Sequence, residues 1–181
     1  MANFTEHDKR SIVHSAELEL RKILDLAFMS ETEVIYEAYG SMFTIPLERK
    51  FADVESMQRY VDQLLALDWV KEKWPERSAT PIVVKAKRGG NRLQASQEMK
   101  RGVSQILIPP HLDGGRNSWA MRETALLHEI AHHFSKNGHG EDFVATLIDF
   151  LSRLIGPYVG LLFQIEVSKA QEELASQKKK G

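Results

Sequence analysis

The order of apolar patterns along the chain constrains its fold more than any other feature of the sequence. From Glu6 to Ala27, apolar residues recur every three or four positions among charged ones, which is typical of an amphipathic helix. From Glu33 to Pro46, β-branched and aromatic residues prevail, with Gly40-Ser41 as a turn or bulge. Asp53 is a helix N-cap residue, and apolar positions at helical spacing follow it as far as Leu65. The first part of the chain therefore predicts a helix, a β-structured segment and a second helix.

The middle of the chain changes to a β pattern after a polar, proline-containing connection at 69–81. Pro81 to Arg88 predicts a strand, Gly89-Gly90-Asn91 a turn, and Arg92 to Met99 a hairpin partner that returns beside the first strand. A second turn at 100–102 leads into a strand from Val103 to Pro109.

Three helices are predicted in the C-terminal part. Their expected ranges are from the cap residue Asn117 or Ser118 to Lys136, from Gly140 to just before Gly156-Pro157, and from Tyr158 to Ala170 or beyond. Helices together with separate β segments indicate an α+β fold. The length favours a single domain, residues 1–176, followed by a flexible basic tail at 177–181.

Composition limits the partners and the chemistry. Cysteine is absent from the 181 residues, which excludes disulfides, thiolate zinc ligands and cysteine nucleophiles. With 24 basic and 25 acidic residues, the net charge of −1 produces no global field for nucleic acid or an anionic membrane. The N-terminus is polar, and no apolar run reaches the roughly 18 residues that span a bilayer. We therefore expect a cytoplasmic protein with no membrane partner, in which His, Asp or Glu holds any metal; the oligomeric state stays open.

Residues 128 to 133 read His-Glu-Ile-Ala-His-His and contain the pattern H-E-x-x-H within a predicted helix. In a helix, His128 and His132 lie on one face with Cβ atoms about 5–6 Å apart, so both imidazoles can reach one zinc ion. Glu129 lies beside that face, where its carboxylate can take a proton from a zinc-bound water and pass it to a leaving amine. The pattern predicts Zn²⁺ as the cofactor, His128 and His132 as ligands and Glu129 as the catalytic base. The strand predicted from Val103 to Pro109 lies upstream of this helix, where zinc peptidases often place a strand that pairs with extended substrate, so we expect that role for it.

A catalytic zinc ion usually has three protein ligands and one open position, and His139 is the leading candidate for the third ligand. It follows Asn137-Gly138, where the motif helix is predicted to end, so the chain can turn back toward the metal. The rival third ligands are the carboxylates of Glu141, Asp142 and Asp149. Ser135 stands where the metzincin pattern has glycine, and the third histidine comes one residue later than in that pattern, so the chain is not a metzincin.

The H-E-x-x-H of His128–His132, followed by H-G-x-x-F at His139–Phe143, resembles the arrangement of SprT-like and related small zincins. Three stretches, Ile45–Ala52, Gln58–Asp62 and Leu127–His133, also resemble a small family of bacterial and phage metallohydrolases across residues 35–150. This resemblance implies a zincin-like fold, in which a small, mainly antiparallel sheet packs on the H-E-x-x-H helix between N- and C-terminal helices. It also implies His128, His132 and His139 as ligands and Glu129 as base, but no particular substrate.

Six other residues have a functional and a plainer interpretation, and the plainer one is favoured for each. His133 is expected to pack rather than bind metal, and His111 to be a loop residue rather than a substrate contact. Tyr158 is expected in the core rather than at an oxyanion, and Trp119 as a core anchor. The remaining two, His7 and His14, are expected at the surface.

A basic region surrounds the predicted hairpin and consists of Lys85, Lys87, Arg88, Arg92, Lys100 and Arg101. A solvated β-face is the favoured interpretation, and contact with nucleic acid is the alternative.

The sequence therefore predicts a zinc-dependent hydrolase, and more specifically a metallopeptidase that acts on a peptide or protein substrate. The alternative is a non-catalytic, zinc-stabilised binding or regulatory protein that contacts nucleic acid. A closed site of four protein ligands would favour the alternative, and an open position beside Glu129 would favour the enzyme.

Overall fold

The computed structural model describes residues 4–87, 95–109 and 119–179, which form an α+β structure. The helices of this part are α1 (Glu6–Ser30), α2 (Val54–Ala66), α3 (Asp68–Lys73), α4 (Pro75–Ser78), α5 (Glu123–Phe134), α6 (Glu141–Phe150) and α7 (Pro157–Lys178). The strands are β1 (Val34–Ala38), β2 (Ser41–Ile45), β3 (Ile82–Ala86), β4 (Ser96–Lys100) and β5 (Val103–Ile108). Within these ranges, every helix is too short or too polar to cross a membrane.

The chain divides into two compact units. The terminal unit comprises Met1–Glu48 and Ser135–Gly181, and the central unit comprises Arg49–Phe134. The terminal unit contains α1, the β1–β2 hairpin, α6 and α7, whereas the central unit contains α2 to α5 and the other three strands.

In the terminal unit, α1 packs along α7. The apolar positions that predicted α1 are buried, among them Ile12, Ala16 and Leu20. The helix begins with a capping box between Thr5 and Asp8 and extends to Ser30, slightly beyond its predicted end. Lys178 Nζ donates to the Asp8 carboxylate at 2.5 Å and, with Thr5, lowers the pKa of Asp8 to about 2. This ion pair joins the first turn of α1 to the last turn of α7.

The β1–β2 hairpin turns at Tyr39 and Gly40, which have φ values of 53° and 70°, one residue before the turn or bulge predicted at Gly40-Ser41. Two consecutive left-handed residues are typical of the tight turn whose twist matches antiparallel strands. The hydroxyl of Tyr39 donates to the buried carboxylate of Glu166 on α7, and Lys169 Nζ donates to both groups. The hairpin tip is therefore attached to α7 inside the terminal unit.

The last two helices run as predicted, with a π-helical turn at Leu151–Ile155 between α6 and the break at Gly156. Because Gly160 has no side chain, α7 can approach the end of α6 and the π-helical turn closely at this point. A Cβ atom there would lie 2.9 Å from the backbone oxygen of Ile148 and 1.9 Å from Ser152 Oγ. Any larger residue at this position would push α7 away from the end of α6.

The predicted hairpin between 81–88 and 92–99 is wrong in its pairing. The three-stranded sheet has the order β3-β5-β4, in which β3 runs parallel to β5 and β4 runs antiparallel to β5. The hairpin is instead β4–β5, closed by the predicted turn at Arg101 and Gly102, with φ values of 52° and 77°. The predicted turn at 89–91 lies outside the described residues. The sheet beside α5 is therefore mixed, and only the two-stranded β1–β2 sheet is purely antiparallel.

The middle position of β5 also overturns its expected role as a substrate-pairing strand. Both of its edges are hydrogen-bonded, one to β3 and the other to β4. At β3, Val84 N donates to Gln58 Oε1 at 2.8 Å, and Gln58 Nε2 donates to Ile82 O at 3.0 Å. A side chain of α2 thus takes the place of a further strand partner along part of β3.

The polar connection expected at 69–81 is mostly helical, which corrects that prediction. It contains α3 and α4, and Pro75 at the start of α4 fits because a first-turn proline lacks only an unused N–H. Val70 is the only fully buried residue of these two helices, so neither has the long apolar stripe that predicts a helix.

Candidate metal centre

Helix α5 carries the H-E-x-x-H motif and is fixed at its start by backbone pairing. Lys50 forms a β-bridge with Arg122, Phe51 N donates to Met121 O at 2.8 Å, and Glu123 N donates to Arg49 O at 3.0 Å. The helix begins at Glu123 after a 3₁₀ turn at 119–121, later than predicted, whereas the predicted cap residues Asn117 and Ser118 lie outside the described residues. It ends at Phe134 rather than Lys136.

The two helix histidines lie as the motif predicts. Their Nε2 atoms are 3.2 Å apart, and their ring centroids are 4.9 Å apart. Two nitrogens bound at about 2.0–2.1 Å to one tetrahedral zinc ion are about 3.3–3.4 Å apart, so this spacing fits a shared ion. His128 is buried and His132 is half-buried. The donor set is therefore suited to zinc, since both side chains offer the nitrogen that zinc prefers.

Glu129 is buried beside this pair, with 6% of its surface exposed. Its neighbours on α5, Leu127, Ile130 and Ala131, are fully buried and apolar. A carboxylate in such surroundings is costly unless a hydrogen bond or a positive charge compensates it. Glu129 therefore needs a polar or charged partner at this position.

His133 packs and does not join the pair. Its Nε2 donates to the backbone oxygen of Arg77 at 2.8 Å, and its ring lies against Phe134. Burial lowers the pKa of His133 below its usual value, and no described group bonds to its Nδ1. The neutral ring therefore links α5 to α4 through this hydrogen bond. Packing is expected for His133, since it lies about a quarter-turn around the helix from His132.

His139 belongs to the terminal unit and follows the predicted helix stop. Gly138 has a φ of 53°, and Gly140 N donates to Asn137 O at 2.9 Å, which closes a tight loop around His139. The His139 ring packs on Phe143 with centroids 4.9 Å apart. The loop is closed again by Lys136 N, which donates to the Asp142 carboxylate at 2.7 Å. Asp142 therefore has a structural role in closing this loop, whereas Glu141 and Asp149 remain the alternatives to His139 as the third ligand.

His14 was missed by the sequence interpretation. It is exposed on α1, as predicted for a surface residue, but its ring lies edge-on to His139 with centroids 5.5 Å apart. A ligand nitrogen of each ring lies within 4.8 Å of the other. No local sequence pattern predicts this pair, because its two members lie 125 positions apart in the sequence. Only the fold of the terminal unit brings them together.

The other candidate residues have plain environments or lie outside the description. His7 is exposed as predicted, and Trp119 is half-buried. Tyr158 is 42% exposed and lies edge-on to Phe43, so its prediction as a core residue is wrong. The Tyr158 ring lies at the surface, against the β1–β2 hairpin, and does not fill the interior. His111 lies outside the described residues.

The basic region is solvated where it is described. Lys85, Lys100 and Arg101 are exposed and Lys87 is half-buried. Arg88 and Arg92 lie outside the described residues. The side chains that are described agree with a solvated β-face.

The chain matches no family model, and comparisons with curated proteins and with solved structures return no similar protein. The resemblance to small zincins is therefore untested and stays a prediction.

The loop at Gly138 provides a test of how His139 is held. Gly138→Ala and Gly102→Ala both put a side chain at a positive φ, which costs about 1–2 kcal/mol of stability. Only at Gly138 would the new Cβ also meet a neighbour, Glu6 Oε2 at 2.9 Å. We expect similar losses of stability in chemical unfolding, but weaker zinc binding in Gly138→Ala alone. Equal zinc affinities in the two variants would mean that this loop does not position a ligand.

Proposed function

We propose that the protein is a zinc-dependent hydrolase, specifically a metallopeptidase that cleaves a peptide or other amide bond. The observation that carries the proposal is the 3.2 Å separation of the Nε2 atoms of His128 and His132, with the buried carboxylate of Glu129 next to them. The helical repeat brings the two rings to one face of α5, but two cationic imidazoles at this distance would repel each other. A shared metal ion, or a hydrogen bond between neutral rings, accounts for the contact.

His128, His132 and His139 are the proposed zinc ligands. Zinc supplies a Lewis acid that lowers the pKa of a coordinated water toward about 7. Neutral imidazoles keep the ion more electrophilic than carboxylate ligands would, which favours His139 over Glu141 and Asp149.

Glu129 is the proposed base. It follows His128 by one residue on α5, so its side chain leaves the helix beside the proposed ligand face, from where a carboxylate could reach a metal-bound water rather than the ion. It accepts the proton of the attacking water and returns it to the leaving nitrogen. Burial of Glu129 keeps bulk water away from this exchange.

The contact between His14 and His139 favours a second candidate function, a zinc-stabilised binding protein. His14 would then join His139 as a ligand from the terminal unit, since the two rings lie together there. With His128 and His132 this makes four imidazoles, which close the coordination shell and leave no position for substrate.

The ligand set can be tested by zinc content and affinity. We expect His139→Ala to weaken zinc binding to a degree approaching the double variant His128→Ala/His132→Ala. Asp149→Ala and the surface control His7→Ala should bind zinc like the wild type. The reverse order, with Asp149→Ala as the damaging change, would make Asp149 the ligand. Loss of tight zinc in His14→Ala would favour the closed, non-catalytic site.

The base can be tested with Glu129→Gln, which keeps the size of the side chain and removes its basicity. We expect unchanged zinc content and a loss of hydrolysis of about 10²-fold or more, measured by mass spectrometry of a peptide library. Glu123→Gln is the matched control, because it is also a buried acid of α5 but bonds to Arg49 N at 3.3 Å. It should lower stability and leave the folded protein active. Undiminished cleavage by Glu129→Gln would refute the mechanism.

A further inference from the structure

A shallow pocket of about 350 Å³ lies in the central unit, beside the first two turns of α2. Its walls come from the backbone-paired segment that precedes α2 and from α2 itself. Phe51 and Tyr60 form an aromatic side of the pocket, with ring centroids 5.3 Å apart. The pocket uses none of the proposed zinc ligands.

Positive charge dominates this pocket. Arg49, Lys50 and Arg59 line it and are exposed, and no acidic side chain of the described chain is part of the lining. Acidic groups border this lining: Asp53 caps α2, with its carboxylate accepting from Ser56 N at 2.6 Å, Glu55 lies in the first turn of α2, and the Glu123 carboxylate accepts from Arg49 N. The lining residues themselves carry three positive charges and no negative one, although the whole chain has a net charge of −1.

The cationic side chains stand on a fixed backbone. Arg49 exchanges hydrogen bonds with Glu123, since Glu123 N donates to Arg49 O and Arg49 N donates to the Glu123 carboxylate. Lys50 is part of the β-bridge to Arg122. The Arg49 guanidinium lies over the Tyr60 ring, 5.1 Å from its centroid, which limits its motion further. Binding here would therefore cost less side-chain conformational entropy than binding to mobile surface lysines.

We propose that this pocket binds a phosphate group. Arginine presents paired N–H donors that match the oxygens of phosphate, and a dianion suits three nearby cations better than a single carboxylate does. The phosphate belongs either to a small phosphorylated molecule or to the backbone of a nucleic acid, and the same contacts serve both. The aromatic side offers an apolar surface for the group that carries the phosphate. This inference is independent of the zinc site.

Binding of three probes to the full-length, zinc-loaded protein tests the proposal: inorganic phosphate, adenosine monophosphate and a short single-stranded oligonucleotide. The variants are Arg59→Gln and Lys50→Gln, singly and together, with Lys71→Gln as the control. Lys71 is an exposed cation of α3 in the same unit, outside the pocket. Each pocket variant should weaken binding by about tenfold, because a hydrogen bond to a charged group contributes about 1.5–3 kcal/mol. Lys71→Gln should bind like the wild type.

The probes distinguish the two sources of phosphate, and either one supports the site. Tight binding of the oligonucleotide, with a salt dependence that declines in the pocket variants, identifies a nucleic-acid backbone. Binding of the two small probes alone identifies a phosphorylated small molecule. Failure of all three probes to bind overturns the proposal. So does a Lys71→Gln variant as impaired as the pocket variants, since binding would then follow overall charge.

Discussion

The backbone pairing of residues 49–51 with 121–123 is the interaction on which the central unit depends. It fixes the first turn of α5, and His133 fixes the other end through its bond to Arg77. Trp74 adds a ring contact to Phe134 at the last residue of the helix. Between these two attachments lie His128, Glu129 and His132. A helix held at both ends fixes the two imidazoles relative to each other, with their Nε2 atoms 3.2 Å apart, a spacing that suits the proposed metal ion.

The same pairing joins parts of the central unit that lie far apart in the sequence. The stretch from Arg49 to Ala52 reaches the start of α5 through its backbone, and Gln58 on α2 bonds to β3 through its side-chain amide. The first of these contacts also involves Arg49 and Lys50, which line the proposed phosphate pocket, so the backbone of this segment holds α5 while its side chains contribute to the pocket.

Local signals in the sequence were sufficient for most of the helices and turns. The apolar spacing of α1, the Asp53 cap of α2 and the glycine at 138 all act within a few residues, so their effects can be predicted without the fold. The parallel pairing of β3 with β5 could not be predicted in this way, because strand partners are chosen by packing across a long connection. The contact of His14 with His139 is non-local in the same sense. The motif helix with its two histidines needed only the helical repeat, whereas any further ligand of the proposed zinc site depends on tertiary structure.

Zinc-edge X-ray absorption of the purified, zinc-loaded protein tests the central claim most directly, since it counts the ligands of the ion in solution. The proposed site predicts one zinc per chain with three imidazole nitrogens at about 2.0–2.1 Å and one oxygen from solvent. Four imidazoles would contradict the hydrolase and favour the closed, zinc-stabilised protein. Absence of bound zinc, or a shell dominated by carboxylate oxygens, would contradict the site itself.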